Sequence, residues 1–344
     1  MARSGRAAGG RARPVVVQQS FPDPRPTTNP YIVMLAESIR ATPGVELRTF
    51  SWRRALLGRY DVFHAHWPEI LVAGRTPVRA LLRQLLSVAL LVRLGLTRTP
   101  IVRTLHNLER PSGIGRREGA FLAWFERRTA LLILLNSSTP VPDRKLSEVI
   151  LHGHYRDWFA RFEQPEAVPG RFSYFGLIRP YKGVDALVSA FRGLTGDVSL
   201  RVAGRPSGDA VAAHLVELAG DDPRVEFTFA YVSDAELAQV ACGGELVVLP
   251  YREMHNSGGT LAALSMSRPV LVPANEVNRR LRAEVGADWV HQYDGPLTAD
   301  DLSRTLRTVQ GRPAGVAPDL SRRDWDLAGS QHLAAYRRAI ALRR

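Results

Sequence analysis

Two segments in the second half of the chain place cations and glycines where an anion could be held. In Tyr174-Phe175-Gly176-Leu177-Ile178-Arg179-Pro180-Tyr181-Lys182-Gly183-Val184, a strand pattern ends at Gly176 and a helical one begins at Gly183. Arg179 and Lys182 stand at the helix entrance, where the first backbone N–H groups lack intrahelical partners, an arrangement suited to a diphosphate. The guanidinium is a directional fork and the ammonium a compact charge. The second segment, Pro250 to Thr260, contains Asn256, Ser257, Gly258, Gly259 and Thr260 at a strand-to-helix turn. Its paired glycines would let backbone amides close on an anion; a helix cap at Asn256 or Ser257 explains the same residues. Two histidine pairs, His64/His66 and His152/His154, are each split by one residue. No metal site is expected from either pair. The single cysteine, Cys242, excludes a Cys-rich zinc site and an intramolecular disulfide, and reads as a buried thiol.

The elements that must carry these groups alternate strand and helix, twice over, which predicts parallel sheets flanked by helices. In the first half, strands are expected at 14–17, 45–50, 60–65, 100–105 and 131–135, with a Pro-rich loop, Ser20 to Tyr31, before the first helix. Their carboxyl ends run into His66-Trp67-Pro68-Glu69, His106-Asn107 and Asn136-Ser137-Ser138. In the second half, strands are expected at 172–176, 198–203, 225–229, 245–250 and 269–273, with Gly204 opening the loop after the second of them. Ligands of open parallel sheets bind beyond these carboxyl ends, and two such half-sheets facing one another would form one cleft. The linker is placed at Gln164–Gly170. This gives a basic disordered arm over 1–13, a first Rossmann-like domain over 14–166, a second over 167–323, and a helix over 324–344 that could pack back on the first.

The length of 344 residues suits two such domains, and a hydrophobic fraction of 45% is that of a globular chain. The formal charge of +13 calls for an anionic partner or surface. No nucleic-acid reading module and no basic stripe interleaved with aromatics is present, so nucleic acid is not the expected partner. Nearly all cations are arginine; Lys145 and Lys182 are the only lysines, which marks Lys182 out. The opening run has no apolar stretch behind it and is not read as a secretory signal, so the protein is expected in the cytoplasm. Arg79–Leu96 is the most lipophilic stretch, but its internal arginines and short span disfavour a transmembrane helix. A core helix and a helix lying on an anionic membrane surface both fit its pattern.

Taken together, "FGLIRPYKGVDALVSAF" and "VVLPYREMHNSGGTLAALSMSRPVLVP" resemble the donor half of GT-B glycosyltransferases. "SFPDPRPTTNPY", "DVFHAHWPE", "TLHNLERP" and "LHGHYRDWF" are similar to segments of bacterial GDP-mannose:glycolipid β-1,4-mannosyltransferases of exopolysaccharide assembly. The resemblance spans roughly Val15 to Val290. It implies a GT-B fold of two Rossmann-like domains, a nucleotide-sugar co-substrate (GDP-mannose foremost), and a lipid-linked saccharide acceptor at the inner face of the plasma membrane. It implies donor contacts from Gly176, Arg179, Lys182, Gly204, Asn256, Ser257, Gly258, Gly259 and Thr260, and acceptor contacts from Asn29, Tyr31, His66 and His154. His106 matches a histidine that reaches towards the transferred sugar. The chain departs from the Glu-x7-Glu pair of many retaining relatives: counting back from Pro269, the two slots hold Met254 and Ala262, with Glu253 one residue off register. An inverting enzyme is therefore favoured.

Such a transfer needs stabilisation of the leaving diphosphate and removal of the acceptor proton. Cations and helix N-termini are expected to do the first, with no metal. For the base, Glu69 beside Trp67 is the first candidate, since an apolar neighbour raises a carboxyl pKa. His106 is the second, because imidazole titrates near neutrality. A retaining hexosyl- or glucuronosyltransferase using a UDP-sugar, and a non-catalytic sugar-nucleotide binder, remain the alternative readings.

Overall fold

Short runs of Val, Ile and Leu without polar alternation belong in strands covered on both faces, and parallel sheets provide that setting. A computed structural model of the chain describes residues 13–343 except 75, 109–112, 144, 257 and 314. Ser257 and the first twelve residues of the expected basic arm thus lie outside the described residues. Two compact units emerge, each with one six-stranded, wholly parallel sheet flanked by helices.

The first sheet contains β1 (Val15–Gln19), β2 (Val45–Arg48), β3 (Val62–Ala65), β4 (Ile101–Leu105), β5 (Thr129–Leu134) and β6 (Ser147–Val149), in the order β2-β1-β3-β4-β5-β6. The second contains β7 (Val168–Phe175), β8 (Ser199–Ala203), β9 (Val225–Thr228), β10 (Gly244–Val248), β11 (Val270–Pro273) and β12 (Val290–Tyr293), in the order β12-β11-β10-β7-β8-β9. The strand order reverses between β1 and β3 in one sheet and between β7 and β10 in the other. Crossover connections leave opposite faces at such a point, so a crevice opens beyond the carboxyl ends of the two central strands. These switch points decide where each site sits.

All ten strands expected from sequence are present. The edge strands β6 and β12 escape sequence reading because Ser-Glu-Val and Val-His-Gln-Tyr carry too few apolar residues to signal burial.

The unit boundaries follow packing more than composition. The first unit comprises residues up to Leu135, then Pro140–Leu151, then the segment from Trp325; the second comprises Asn136–Thr139 and His152–Asp324. The chain therefore enters the second unit at His152, ahead of Gln164–Gly170. The C-terminal helix, Trp325–Ala341, lies against β1, β3, β4 and β5 and the helix Pro30–Ala41 of the first unit. Gly329 makes the helix crossing close: a Cβ there would stand 2.2 Å from Thr42 Oγ1, while Ser38 Oγ donates to the Trp325 carbonyl.

The lipophilic segment forms the helix Pro77–Leu96, capped by Thr76. Ser87, Leu90, Leu91 and Leu94 are buried against the first unit. The opposite face, with Val78, Leu82, Leu85, Val92 and Leu96, is exposed along the whole helix, Leu85 at 60% and Leu96 at 81%. The core-helix reading thus describes the buried face, and the other apolar face is left uncovered in this unit. Among the described residues, no helix is long and apolar enough to cross a membrane.

Candidate active site

At the switch point of the second sheet, the loops after β7 and β10 are locked together. The loop after β7 turns at Gly176 (φ +114°), passes through a single 3-10 turn, Pro180–Lys182, and reaches Gly183 (φ +65°) before the helix Val184–Arg192. A Cβ on Gly183 would stand 2.1 Å from the Pro250 carbonyl oxygen, so only glycine permits both the left-handed backbone and this approach. Gly204, at the end of β8, is packed equally tightly: a Cβ there would meet the Gly176 carbonyl oxygen at 1.8 Å. Arg252 completes the tie by donating its N–H to the Tyr181 carbonyl (2.9 Å) and pairing its guanidinium with Asp185 (2.6 Å).

This lock puts Lys182 on Tyr251. The ammonium lies 3.4 Å from the centre of the Tyr251 ring, and burial alone pulls its pKa down to about 8. No carboxylate pairs with it among the described residues. A partly desolvated cation resting on an aromatic face, with no anion of its own, favours an anionic ligand. The hydroxyl of the same tyrosine stands 3.2 Å from where a Gly259 Cβ would be, beside the start of the helix Gly258–Ser265. Lys182 and the Gly258–Thr260 turn are thus joined through Tyr251, a residue not singled out in the sequence reading although Pro250-Tyr251 closes a strand beside the glycines. Thr260 is buried and donates to Met254 Sδ at 3.9 Å.

Arg179 is placed differently. It lines a cavity of about 280 Å³ together with Asp185, His214 and Arg252, and Lys182 is not among the lining residues. Asn256 is held from behind, accepting at Oδ1 from Asn136 Nδ2 (2.7 Å), while Thr139 Oγ1 and His255 Nε2 lie 2.8 Å apart. The Asn136–Ser138 loop, expected to serve the first half, therefore braces the loop after β10 in the second unit. The two slots of the Glu-x7-Glu pattern are buried, Met254 against Asn278 and Ala262 inside its helix.

At the switch point of the first sheet, the ends of β1, β3 and β4 gather histidines and aromatic rings. His66 Nδ1 lies 3.1 Å from His106 Nε2, and His66 Nε2 lies 3.3 Å from Gln19 Oε1. The Trp67 ring stacks on His106 with centroids 4.0 Å apart, and Tyr31 meets His106 edge-on at 5.2 Å. His106 is half-buried at this end of the sheet, whereas His66 is enclosed. Burial, reinforced by the charge of His332, pulls His66 down to about 3. His64 is held at both nitrogens, by Tyr336 OH and Thr104 Oγ1, each at 2.8 Å, and burial holds it well below the usual imidazole range.

Two of the expected acceptor residues are bonded within the fold. His66 has both nitrogens engaged, by His106 and Gln19. His154 belongs to the second unit; its Nε2 lies 2.8 Å from Asp324 Oδ1 and its Nδ1 accepts from the Arg156 N–H at 3.2 Å. Asn29 caps the helix Pro30–Ala41 by accepting from the Tyr31 N–H (2.9 Å). Tyr31 is buried beneath His106. Glu69 is the first residue of a short helix, Glu69–Val72, where its charge suits the helix dipole, and the neighbouring Trp67 ring stacks on His106.

No protein-family model matches the chain. A GDP-mannose:glycolipid 4-beta-D-mannosyltransferase of Xanthomonas campestris pv. campestris is 44% identical over 327 residues, covering 95% of this chain and 93% of the relative. A second sequence of the same name and organism matches over the same share. Among solved structures, Anabaena HepE in complex with UDP and glucose is similar with a TM-score of 0.58 at 14% identity, covering 96% of this chain and 97% of that one. A glycosyltransferase from Rickettsia africae reaches 0.60 at 12% identity, covering 95% and 98%. At such identities the structural likeness establishes the GT-B fold alone; the sequence likeness goes further. With two parallel-sheet units, a lysine-bearing turn at one switch point and paired histidines at the other, the chain is a glycosyltransferase and belongs to the family of GDP-mannose:glycolipid 4-beta-D-mannosyltransferases.

Proposed function

We propose that this chain transfers mannose from GDP-mannose to a hydroxyl of a lipid-linked saccharide, inverting the anomeric centre and using no metal. The observation that carries the reading is Lys182, desolvated on Tyr251 at the β7/β10 switch point with no carboxylate partner among the described residues. There it meets the diphosphate and the charge that builds on it as the sugar leaves, together with N–H groups at the Gly258–Thr260 turn. Gly176 and Gly204 shape the loop ends by close packing, and Asn256 holds the second loop in place. The relative's name specifies a β product, and departure from an α-linked sugar nucleotide then means displacement from the opposite face.

His106 is proposed as the base, because it is half-buried at a strand end and its Nε2 is held by His66. The acceptor hydroxyl gives its proton to the imidazole as its oxygen bonds to the anomeric carbon. The bond from that carbon to the diphosphate oxygen breaks, and GDP departs with the electron pair. Two measurements test the whole reading. GDP should raise the melting temperature more than UDP does, and label from GDP-mannose should enter a lipid-linked saccharide. Transfer from UDP-sugars, with none from GDP-mannose, would overturn it.

The acceptor's lipid points to the inner face of the plasma membrane, and the exposed face of Pro77–Leu96 is proposed to dock there on an anionic bilayer. Arg116 and Arg117, both exposed, line a surface depression with Leu81 and Gln84 of this helix, so cations flank the apolar stripe. Apolar insertion and anionic attraction then add, at about 1 kcal/mol per arginine near the surface. Replacing Leu82 and Leu85 together by glutamate should cut binding to anionic vesicles at least about tenfold, since partial insertion of each leucine is worth about 1 kcal/mol or more. Both side chains are exposed, so the melting temperature should hold; unchanged vesicle co-sedimentation would remove this helix as the docking element.

A further inference from the structure

The first unit holds a cavity of about 610 Å³ that the reaction described above does not use. Sites for small molecules run to roughly 300–1,000 Å³, so the volume suits a ligand. The cavity lies over the β4–β5 part of the sheet, between the helix Arg116–Arg128 and the segment that leads into β6. Arg103 and Leu105, two apart on β4, point to this face, and Leu132 of β5 stands in register with Arg103. Thr104, between them, points to the other face and bonds His64. The cavity and the histidines therefore occupy opposite faces of one strand. They meet over its carboxyl end, where Asn107 lines the cavity one residue beyond His106.

Two chemistries share the walls. Leu105, Leu108, Ala123, Leu132, Pro140 and Pro142 make an apolar body. Among the described residues lining it, Arg103, Arg127 and Lys145 bring three cations against one carboxylate, Glu126. Lys145 donates to the carbonyls of Glu126 (2.6 Å), Thr129 (2.9 Å) and Arg127 (3.3 Å), so it closes the end of the helix and has no N–H left for a ligand. Arg103 is the reverse case. It stands in the middle of β4 with its side chain only 15% exposed, and its guanidinium meets Glu126 Oε1 at 3.3 Å through Nη1. Its Nε–H is buried with no acceptor among the described residues. A buried donor left unpaired costs free energy, and an anion entering the cavity removes that cost. Arg127, exposed, adds a second forked cation at the same cavity.

We infer that this cavity binds a lipid phosphate: the phosphate that joins the acceptor's lipid to its saccharide sits on Arg103, and the first apolar carbons lie along Leu132 and the two prolines. The inference rests on the proposed transfer to a lipid-linked saccharide. An uncharged lipid would leave Arg103 unpaired, and a bare phosphate would leave the apolar walls wetted; an amphiphile with an anionic head satisfies both. The saccharide then runs over the end of β4 to present its hydroxyl to His106. The acceptor's phosphate is thereby held on the far face of the strand, away from the base.

Calorimetry on the full chain with saturating GDP, which occupies the donor site, tests the ligand class with three probes. Farnesyl phosphate should bind at least about tenfold more tightly than farnesol and than inorganic phosphate; equal affinity for either, or no binding of farnesyl phosphate, would overturn the inference. Two variants locate the site. Arg103→Met deletes the charge and keeps an apolar stem, and Ala123→Phe fills the apolar body from the helix without touching a cation. Each should weaken farnesyl phosphate at least about tenfold and leave GDP affinity unchanged, the first through loss of a charge-assisted bond. Wild-type affinity in either folded variant would remove this cavity as the site, and Ala123→Phe carries the test should Arg103→Met fail to fold. In steady state, both should raise KM for the glycolipid acceptor with KM for GDP-mannose unmoved. The two levels separate cleanly. If the wild type transfers mannose and neither variant changes the acceptor KM, the cavity inference alone fails. If the wild type transfers no mannose while both variants lose farnesyl phosphate, the proposed reaction fails and the lipid-phosphate site stands.

Discussion

Lys182→Met should weaken GDP binding by about 10- to 100-fold, read by calorimetry on the free protein. Methionine keeps an apolar stem on Tyr251 and deletes the charge, so the loss reports the ion contact and not the packing. The scale follows from hydrogen bonds to charged groups, worth about 1.5–3 kcal/mol, with about 1.4 kcal/mol per tenfold in affinity. Unchanged affinity would take Lys182 out of the donor site. The pH dependence adds a second signature. In the free protein burial holds the ammonium at about 8, and a bound diphosphate, being opposite in charge, raises that value. GDP binding therefore takes up protons above about pH 8. Affinity should be level below that pH and fall as pH rises through it, by up to about tenfold per unit. Lys182→Met should abolish this slope.

His106→Ala should lower kcat by roughly 100- to 10,000-fold, the usual share of a positioned base, while leaving GDP affinity close to wild type. The two effects separate because His106 belongs to the first unit and the donor loops to the second. Glu69→Gln should stay within a few-fold of wild type in kcat, since that carboxylate sits in the first turn of a short helix. Steady-state assays with GDP-mannose as donor distinguish the two candidates. A dead Glu69→Gln enzyme beside an active His106→Ala enzyme would reverse the assignment.

Much of this was legible before any coordinates because both sites rest on local pattern. Strand ends are marked by where a run of Val, Ile or Leu stops, so the loops at Gly176, Pro250, His66 and His106 could be listed from the chain alone. What could not be read is which strands are neighbours. Tyr251 couples Lys182 to the glycine turn only because β7 and β10 are adjacent, a fact of sheet order and not of spacing. The same limit applies to two of the histidines. His66 and His154 carry the right chemistry in the right segments, yet tertiary partners consume their nitrogens, Gln19 and His106 in one case and Asp324 with a backbone N–H in the other. Asn136–Ser138 failed for a similar reason: a loop leaving β5 was assigned to the half that its strand belongs to, whereas its side chains bond to His255 and Asn256. The lipophilic helix had two readings because periodicity records that an apolar face exists and not whether anything covers it.

The seventeen-residue helix Trp325–Ala341 has a consequence for how the protein is made. It supplies Tyr336 to His64 and crosses the helix Pro30–Ala41 at Gly329, so the first unit is built from both ends of the chain. A nascent polypeptide leaving the ribosome has its first sheet complete long before this helix emerges, and the β3 end of that sheet waits, unsealed, for the whole second unit to be synthesised. A chain that stops short of Trp325 would lack not a tail but the side chains, Tyr336 among them, that close this end of the first sheet.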